Sequence, residues 1–179
     1  IGPAMLMANL QASLRTTQAM YVSLRESATQ INRIVFDNTP SELFITFFMA
    51  LIDVKEGYIK YVNAGHNPPF LVRQDGHVKK LSKGGILLGI KADAEYEEGE
   101  ILFTPGDILF MYTDGVCEAM NCSEEEYGEK RLARIVSANR RLPLTDLVHL
   151  IEKEVEVHHG SSDYDDDFTI LVARLKPDE

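Results

Sequence analysis

The stretch Ile108-Leu109-Phe110-Met111-Tyr112-Thr113-Asp114-Gly115 decides the fold. Its apolar run is continuous, so it reads as a strand buried on both faces; a half-exposed strand would alternate apolar with polar residues. The turn Thr104-Pro105-Gly106-Asp107 leads into it, and an acid with a glycine ends it. A second acidic cluster, Asp165-Asp166-Asp167, stands directly before another β-type run, Phe168-Thr169-Ile170-Leu171-Val172. Carboxylates gathered at the edge of an apolar sheet repel one another, and a cation is the simplest partner that stabilises them. A hard divalent metal is therefore the first expectation.

Working outward, apolar residues from Pro3 to about Asp37 recur at spacings near three and four, which predicts an amphipathic helix or two in series. Asn38-Thr39-Pro40 stops that pattern. Phe44 to Val54 and Tyr58 to Asn63 are β-prone runs joined by Lys55-Glu56-Gly57, a predicted hairpin. Phe70 to Arg73 and His77 to Leu81 flank Gln74-Asp75-Gly76 and predict a second. Leu87 to Ile90 and Glu100 to Thr104 are weaker strand candidates. Beyond Asp114 the spacing turns helical. Ser123 is a candidate cap for a segment through Glu126, Lys130 to Ala138 carries Leu132, Ile135 and Val136 on one face, and Leu144 to His158 forms a third helix. Thr145 is that helix's candidate cap, and Gly160 lies just past its end. Phe168 to Leu175 closes the chain as a strand. This order predicts an α+β fold, helices on a mostly antiparallel sheet, in a single domain over residues 1–179.

Composition bounds the function. A chain of 179 residues, 45% hydrophobic and 26% charged, suits one globular domain with a sizeable core. A formal net charge of -10 argues against a nucleic-acid footprint, which needs a basic face. Two cysteines, Cys117 and Cys122, are too few for a disulfide scaffold and point to a reducing cytoplasm. The longest apolar stretch, Leu43 to Ile52, is too short to span a bilayer, so no membrane contact is expected. No signal peptide is visible, yet the chain opens on Ile1 within an apparent helix start, so a preceding segment is expected.

Several motifs occur in a fixed order: Tyr61-Val62-Asn63-Ala64-Gly65-His66-Asn67-Pro68-Pro69-Phe70, Leu88-Gly89-Ile90, Gly106 to Ala119, Tyr127-Gly128 and Asp166-Asp167-Phe168-Thr169. Together they resemble the bacterial metal-dependent serine/threonine phosphatases of the PP2C-like superfamily, in the SpoIIE and RsbU branch, over essentially the whole chain. The resemblance implies an antiparallel β-sandwich flanked by helices with two Mn²⁺ or Mg²⁺ ions at one edge. It maps Asp114 and Asp166 onto metal-ligand aspartates. It further implies an Asp-Val-Ser-Gly-Lys/His-Gly segment just before the first helix, whose aspartate bridges both metals. That segment is absent from the 179 residues. The expectation is thus the C-terminal part of a phosphatase domain lacking its N-terminal strands, inactive or nearly so alone. The implied substrate is a phosphorylated STAS-type anti-anti-sigma protein in a partner-switching pathway, with an N-terminal sensory or receiver domain in the parent chain.

Plainer readings stand beside these. Asp114-Gly115 out of context is as good a turn or N-cap as a metal site. Asp165 and Asp167 fit a solvated face, and Glu118, one helical turn after Asp114, fits the site and the surface equally. His66 is a candidate general acid, but Gly65, Asn67 and two prolines favour a shaped turn whose backbone His66 and Asn67 satisfy. His158 and His159 suit a helix C-terminus, and Cys117 reads as packing. Met5, Met7, Met20, Phe44, Phe47 and Phe48 read as core or sheet contacts. A stripe such as that of Pro3 to Asp37 can form a homodimer but is more often internal core. Two other functions remain open: a non-catalytic STAS-binding pseudophosphatase module, and a small-molecule phosphohydrolase using the same ligands.

Overall fold

A computed structural model describes residues 3–19, 23–40, 42–160 and 166–176. The chain divides into two compact units, Ile1–His66 with Ser82–Leu102, and Asn67–Leu81 with Phe103–Glu179. No helix among the described residues is long and apolar enough to cross a membrane.

In the first unit the amphipathic N-terminal stretch resolves into two helices, α1 (Pro3–Ala19) and α2 (Leu24–Asn38). Ser23 starts α2 with a capping box: its hydroxyl accepts from the Glu26 amide, and the Glu26 carboxylate accepts from the Ser23 amide. The predicted hairpin forms from β1 (Phe47–Asp53) and β2 (Tyr58–Ala64), in register from Phe47↔Ala64 to Asp53↔Tyr58. Gly57 takes φ +70° in its turn, and Asp53 Oδ1 accepts from the Lys55 and Glu56 amides. The other edge of β2 carries two short strands, β5 (Gly84–Gly85) in parallel and β6 (Gly99–Leu102) antiparallel. Leu10, Ala28, Ile31, Val35, Val62, Ala64, Leu88 and Tyr96 make this unit's core.

Two expectations for this unit are corrected. Leu87 to Ile90 is no strand: only Leu88 bridges, to Ile45, and Gly89 at φ +89° turns the chain away. The pairing belongs instead to Gly84, where a Cβ would lie 1.9 Å from the Asn63 carbonyl oxygen, an approach only glycine permits. Met7 and Phe44 are exposed rather than core, whereas Phe47 packs on the core and Phe48 stacks on Tyr61 at 5.9 Å. Met20 and the side chain of Met5 lie outside the described residues.

The second unit holds a four-stranded antiparallel sheet in the order β4 (Val78–Lys80), β3 (Phe70–Val72), β7 (Ile108–Tyr112), β8 (Ile170–Arg174). The apolar run that opened the reading is β7, paired on both sides and buried except for a half-buried Met111. Three helices follow it: α3 (Asp114–Cys117), α4 (Glu129–Ala138) and α5 (Leu144–His159). Leu132 and Val136 of α4 and Leu147, Ile151 and Val155 of α5 close a core over Phe70, Val72, Ile108 and Phe110. Gly160 ends α5 at φ +82°.

The helix predicted behind Ser123 does not form. Asn121 Oδ1 accepts from the Ser123 and Glu125 amides, an Asx-type turn that outcompetes helix, and Glu124 sits at φ +60°. Thr145 is not the cap of α5; Pro143 holds that position, and proline needs no amide partner there.

Candidate metal centre

The candidate site lies in the second unit, where β7 gives way to α3 and where residues 166–169 lead into β8. Antiparallel pairing puts Tyr112 opposite Ile170, so the end of one strand and the start of the next meet at the same sheet edge. Thr113 then joins the two segments. Its amide donates to the Thr169 carbonyl at 3.1 Å, its hydroxyl donates to the Asp167 carbonyl at 2.8 Å, and that same hydroxyl accepts from the Thr169 amide at 2.9 Å. The Thr113 side chain, at the N-cap of α3, is spent on this cross-link and makes no capping bond.

Gly115 completes the approach. A Cβ there would lie 2.7 Å from the Asp167 carbonyl oxygen and 3.3 Å from that of Asp166. Its φ is not among the positive values, so closeness of two backbones and not turn geometry requires the glycine. Asp114 and Asp166 therefore sit on adjacent, mutually bonded segments, both exposed. Asp114 Oδ1 accepts from the Gly115 amide and Asp166 Oδ1 from the Asp167 amide, which orients each carboxylate. Among the described residues neither carboxylate has a lysine or arginine partner. Hard carboxylate oxygens on two adjacent segments are the donor type that Mg²⁺ or Mn²⁺ takes. Among the described residues no group of three or more His, Cys, Asp or Glu side chains suited to a metal exists, and Asp165 lies outside them.

The remaining candidates are placed elsewhere or in other work. Glu118 is exposed; its amide closes the α3 turn on the Asp114 carbonyl at 2.8 Å. Cys117 is buried, its Sγ accepting from Asn67 Nδ2 at 3.3 Å, and burial pushes its thiol up to about 11, with Glu118 and Glu129 adding to the shift. A thiol so held is no nucleophile. In the first unit His66 belongs to the turn, as its neighbours suggested, but Asn63 is the residue that satisfies it. Asn63 Oδ1 accepts from the His66 amide at 2.8 Å and Asn63 Nδ2 donates to the His66 carbonyl at 2.9 Å. His158 and His159 bond the carbonyls of Glu125 and Met120 and pin that loop to the end of α5. Thr113 and Gly115 carry no charge and so are not candidates by acid chemistry alone; the hydroxyl at a strand end facing an Asp-Asp-x-Thr motif is the sequence signal for them.

These elements define the fold of a PP2C phosphatase domain. The SiaA PP2C domain of Pseudomonas aeruginosa superposes with TM-score 0.82 at 19% identity, over 96% of this chain and 69% of that one. The SpoIIE phosphatase domain of Bacillus subtilis superposes with TM-score 0.66 at 22% identity, over 100% and 77%. The profile of the Stage II sporulation protein E (SpoIIE) family matches residues 1–176, and the chain belongs to that family. The family and α+β fold expected from the motifs are thereby borne out. Among its relatives, IcfG of Synechocystis is 32% identical over 133 residues, 74% of this chain. The phosphoserine phosphatase RsbU of Bacillus subtilis is 28% identical over 154 residues, 82% of this chain. The chain spans 21% and 43% of the lengths of these two relatives.

Proposed function

We propose that this domain belongs to a metal-dependent protein serine/threonine phosphatase in which Asp114 and Asp166 hold the metal. The observation that carries the reading is the Thr113 cross-link, which brings the two aspartate-bearing segments together in a chain of the SpoIIE family. When bound, a divalent metal would polarise the phosphoryl group and lower the pKa of a coordinated water. The chain's own part is to present two carboxylates on segments that Thr113 ties together, with Gly115 keeping the space between them free of side chain.

A hard cation takes six or more oxygen ligands, and two carboxylates do not furnish them for two ions. The bridging aspartate implied by the resemblance is not in these 179 residues. We therefore propose low turnover by these residues alone. The proposed substrate is a phosphoserine or phosphothreonine on a STAS-type anti-anti-sigma protein, in line with relatives named phosphoserine phosphatases RsbU and RsbP. An N-terminal sensory or receiver module as input, cytoplasmic location and homodimerisation through the α1–α2 region belong to the same proposal.

The test is Mn²⁺-dependent phosphate release from a phosphoserine STAS protein by this chain, by a version extended upstream in its gene, and by Asp114→Asn and Asp166→Asn in the extended version. Release by the extended protein alone, lost in both variants, is the expected result. Tight STAS binding without release by any of them would favour a non-catalytic binding module. Faster release from small phosphate esters than from the phosphoprotein would favour a small-molecule phosphohydrolase.

A further inference from the structure

At the opposite end of the β7–β8 pair from Asp114 and Asp166 lies a cleft of about 400 Å³, lined by Gln74, Pro105, Gly106, Arg140, Arg141 and Arg174. Register fixes the separation: Arg174 pairs with Ile108 at the start of β7, and Tyr112 with Ile170 at its far end. A five-residue strand is roughly 15 Å long, so the cleft is not part of the candidate metal centre.

Three arginines line this one cleft in a chain whose net charge is -10. Among the described residues none of the three has a carboxylate partner. Of the acids next to these residues in sequence, Asp107 is buried and bonded to Arg73, and Asp75, whose Oδ1 accepts from the His77 amide, makes no ion pair among the described residues. Two of the arginines are anchored only to carbonyl groups. Arg140 donates through Nε to Gln74 O at 2.8 Å and through Nη1 to Ser137 O at 2.9 Å. Arg174 donates through Nη2 to Arg140 O at 2.6 Å and Leu142 O at 2.8 Å. Carbonyl anchoring holds a guanidinium in place without neutralising it, and each arginine has five N–H donors, so three remain on Arg140 and three on Arg174. The Arg141 side chain is exposed and makes no hydrogen bond or ion pair among the described residues.

We propose that this cleft is a binding site for a phosphate group, either a free phosphate ester or a phosphorylated side chain. Positioned, uncompensated guanidinium forks match phosphate geometry and favour a dianion over a monovalent anion. The inference does not depend on the metal reading, and both are separable because the measurement is made without metal.

The experiment is amide NMR of the chain in EDTA, titrated with inorganic phosphate, with the peptide Gly-phosphoserine-Gly, and with sodium chloride at matched ionic strength. Phosphate is expected to shift Gln74, Gly106, Arg140 and Arg141 saturably, with chloride leaving them in place. Arg141→Glu should weaken binding by roughly tenfold or more, the loss of one charge-assisted bond, with an unchanged melting temperature. Arg141→Lys, which keeps the charge and loses the fork, should fall between. Peptide binding tighter than phosphate assigns the site to a phosphorylated segment, and the reverse assigns it to a free ester. Unsaturable shifts, equal shifts with chloride, or wild-type affinity in Arg141→Glu would overturn the site.

Discussion

The Thr113 hydroxyl donates to the Asp167 carbonyl and accepts from the Thr169 amide, so one side chain ties the end of β7 to the approach of β8 beside both candidate ligands. Thr113→Val keeps the shape and removes both bonds. The partners are exposed enough to find water, so each bond should count near the lower end of the usual range, about 1 kcal/mol for the two together by urea unfolding. Mn²⁺ affinity, read by calorimetry on the upstream-extended protein, should fall further than stability does. Thr113→Ser, which restores the hydroxyl, should recover both. A valine variant that binds Mn²⁺ as the parent does would remove Thr113 from the site.

Gly115→Ala tests the same junction by volume. The added methyl would lie 2.7 Å from the Asp167 carbonyl oxygen and 3.1 Å from its carbon, and backbone atoms cannot swing aside as a side-chain tip can. The segment bearing Asp166 must move. Overpacking of this kind costs about 1–3 kcal/mol, measurable as a lower urea midpoint, and metal affinity should drop with it. Asp114→Asn makes the useful contrast, because it removes charge without volume and should weaken metal binding with little change in midpoint.

Much of this was legible in the sequence because it is local. The apolar run of β7, the Gly57 and Gly76 hairpins and the glycine ending α5 each carry their instruction within a few residues. What was not legible depends on partners distant in the chain. Gly84 pairs with β2 because the Asn63 backbone lies against it, which no property of a Gly-Gly pair announces. Residues 121–126 carry helix-compatible acids, yet one asparagine side chain captures two amides and wins. For the site, Asp114 and Asp166 stood out as acids at strand ends, but the device that joins them is a threonine whose purpose appears only when both strands are in register.

The capping box of α2 gives a pH signature. The Ser23 amide and hydroxyl both bond the Glu26 carboxylate and hold its pKa below the usual value of 4.5. A carboxyl with a depressed folded-state pKa adds stability that is present above its unfolded value and is lost as pH falls through the folded one. Acid unfolding followed by circular dichroism should therefore show a contribution from Glu26 that fades below about pH 4.5, and Glu26→Gln should flatten that part of the curve. Ser23→Ala, which deletes the cap itself, should cost about 1 kcal/mol at neutral pH. An unchanged acid limb in Glu26→Gln would assign the dependence to other carboxylates.

Cysteine reactivity offers a check on burial in the second unit that needs no substrate. Cys117 is buried and its thiol is pushed up to about 11, mainly by loss of solvation, while Cys122 is exposed. Since the thiolate is the reactive form, at pH 8 a thiol reagent should modify one cysteine quickly, and Cys122→Ser should abolish that fast phase. Cys117 should react only as pH approaches 11 or once the unit unfolds in urea, at which point two thiols are titrated. Fast labelling of Cys117 in the folded Cys122→Ser protein would mean that α3 opens readily, and with it the junction on which the Asp114 and Asp166 pairing rests.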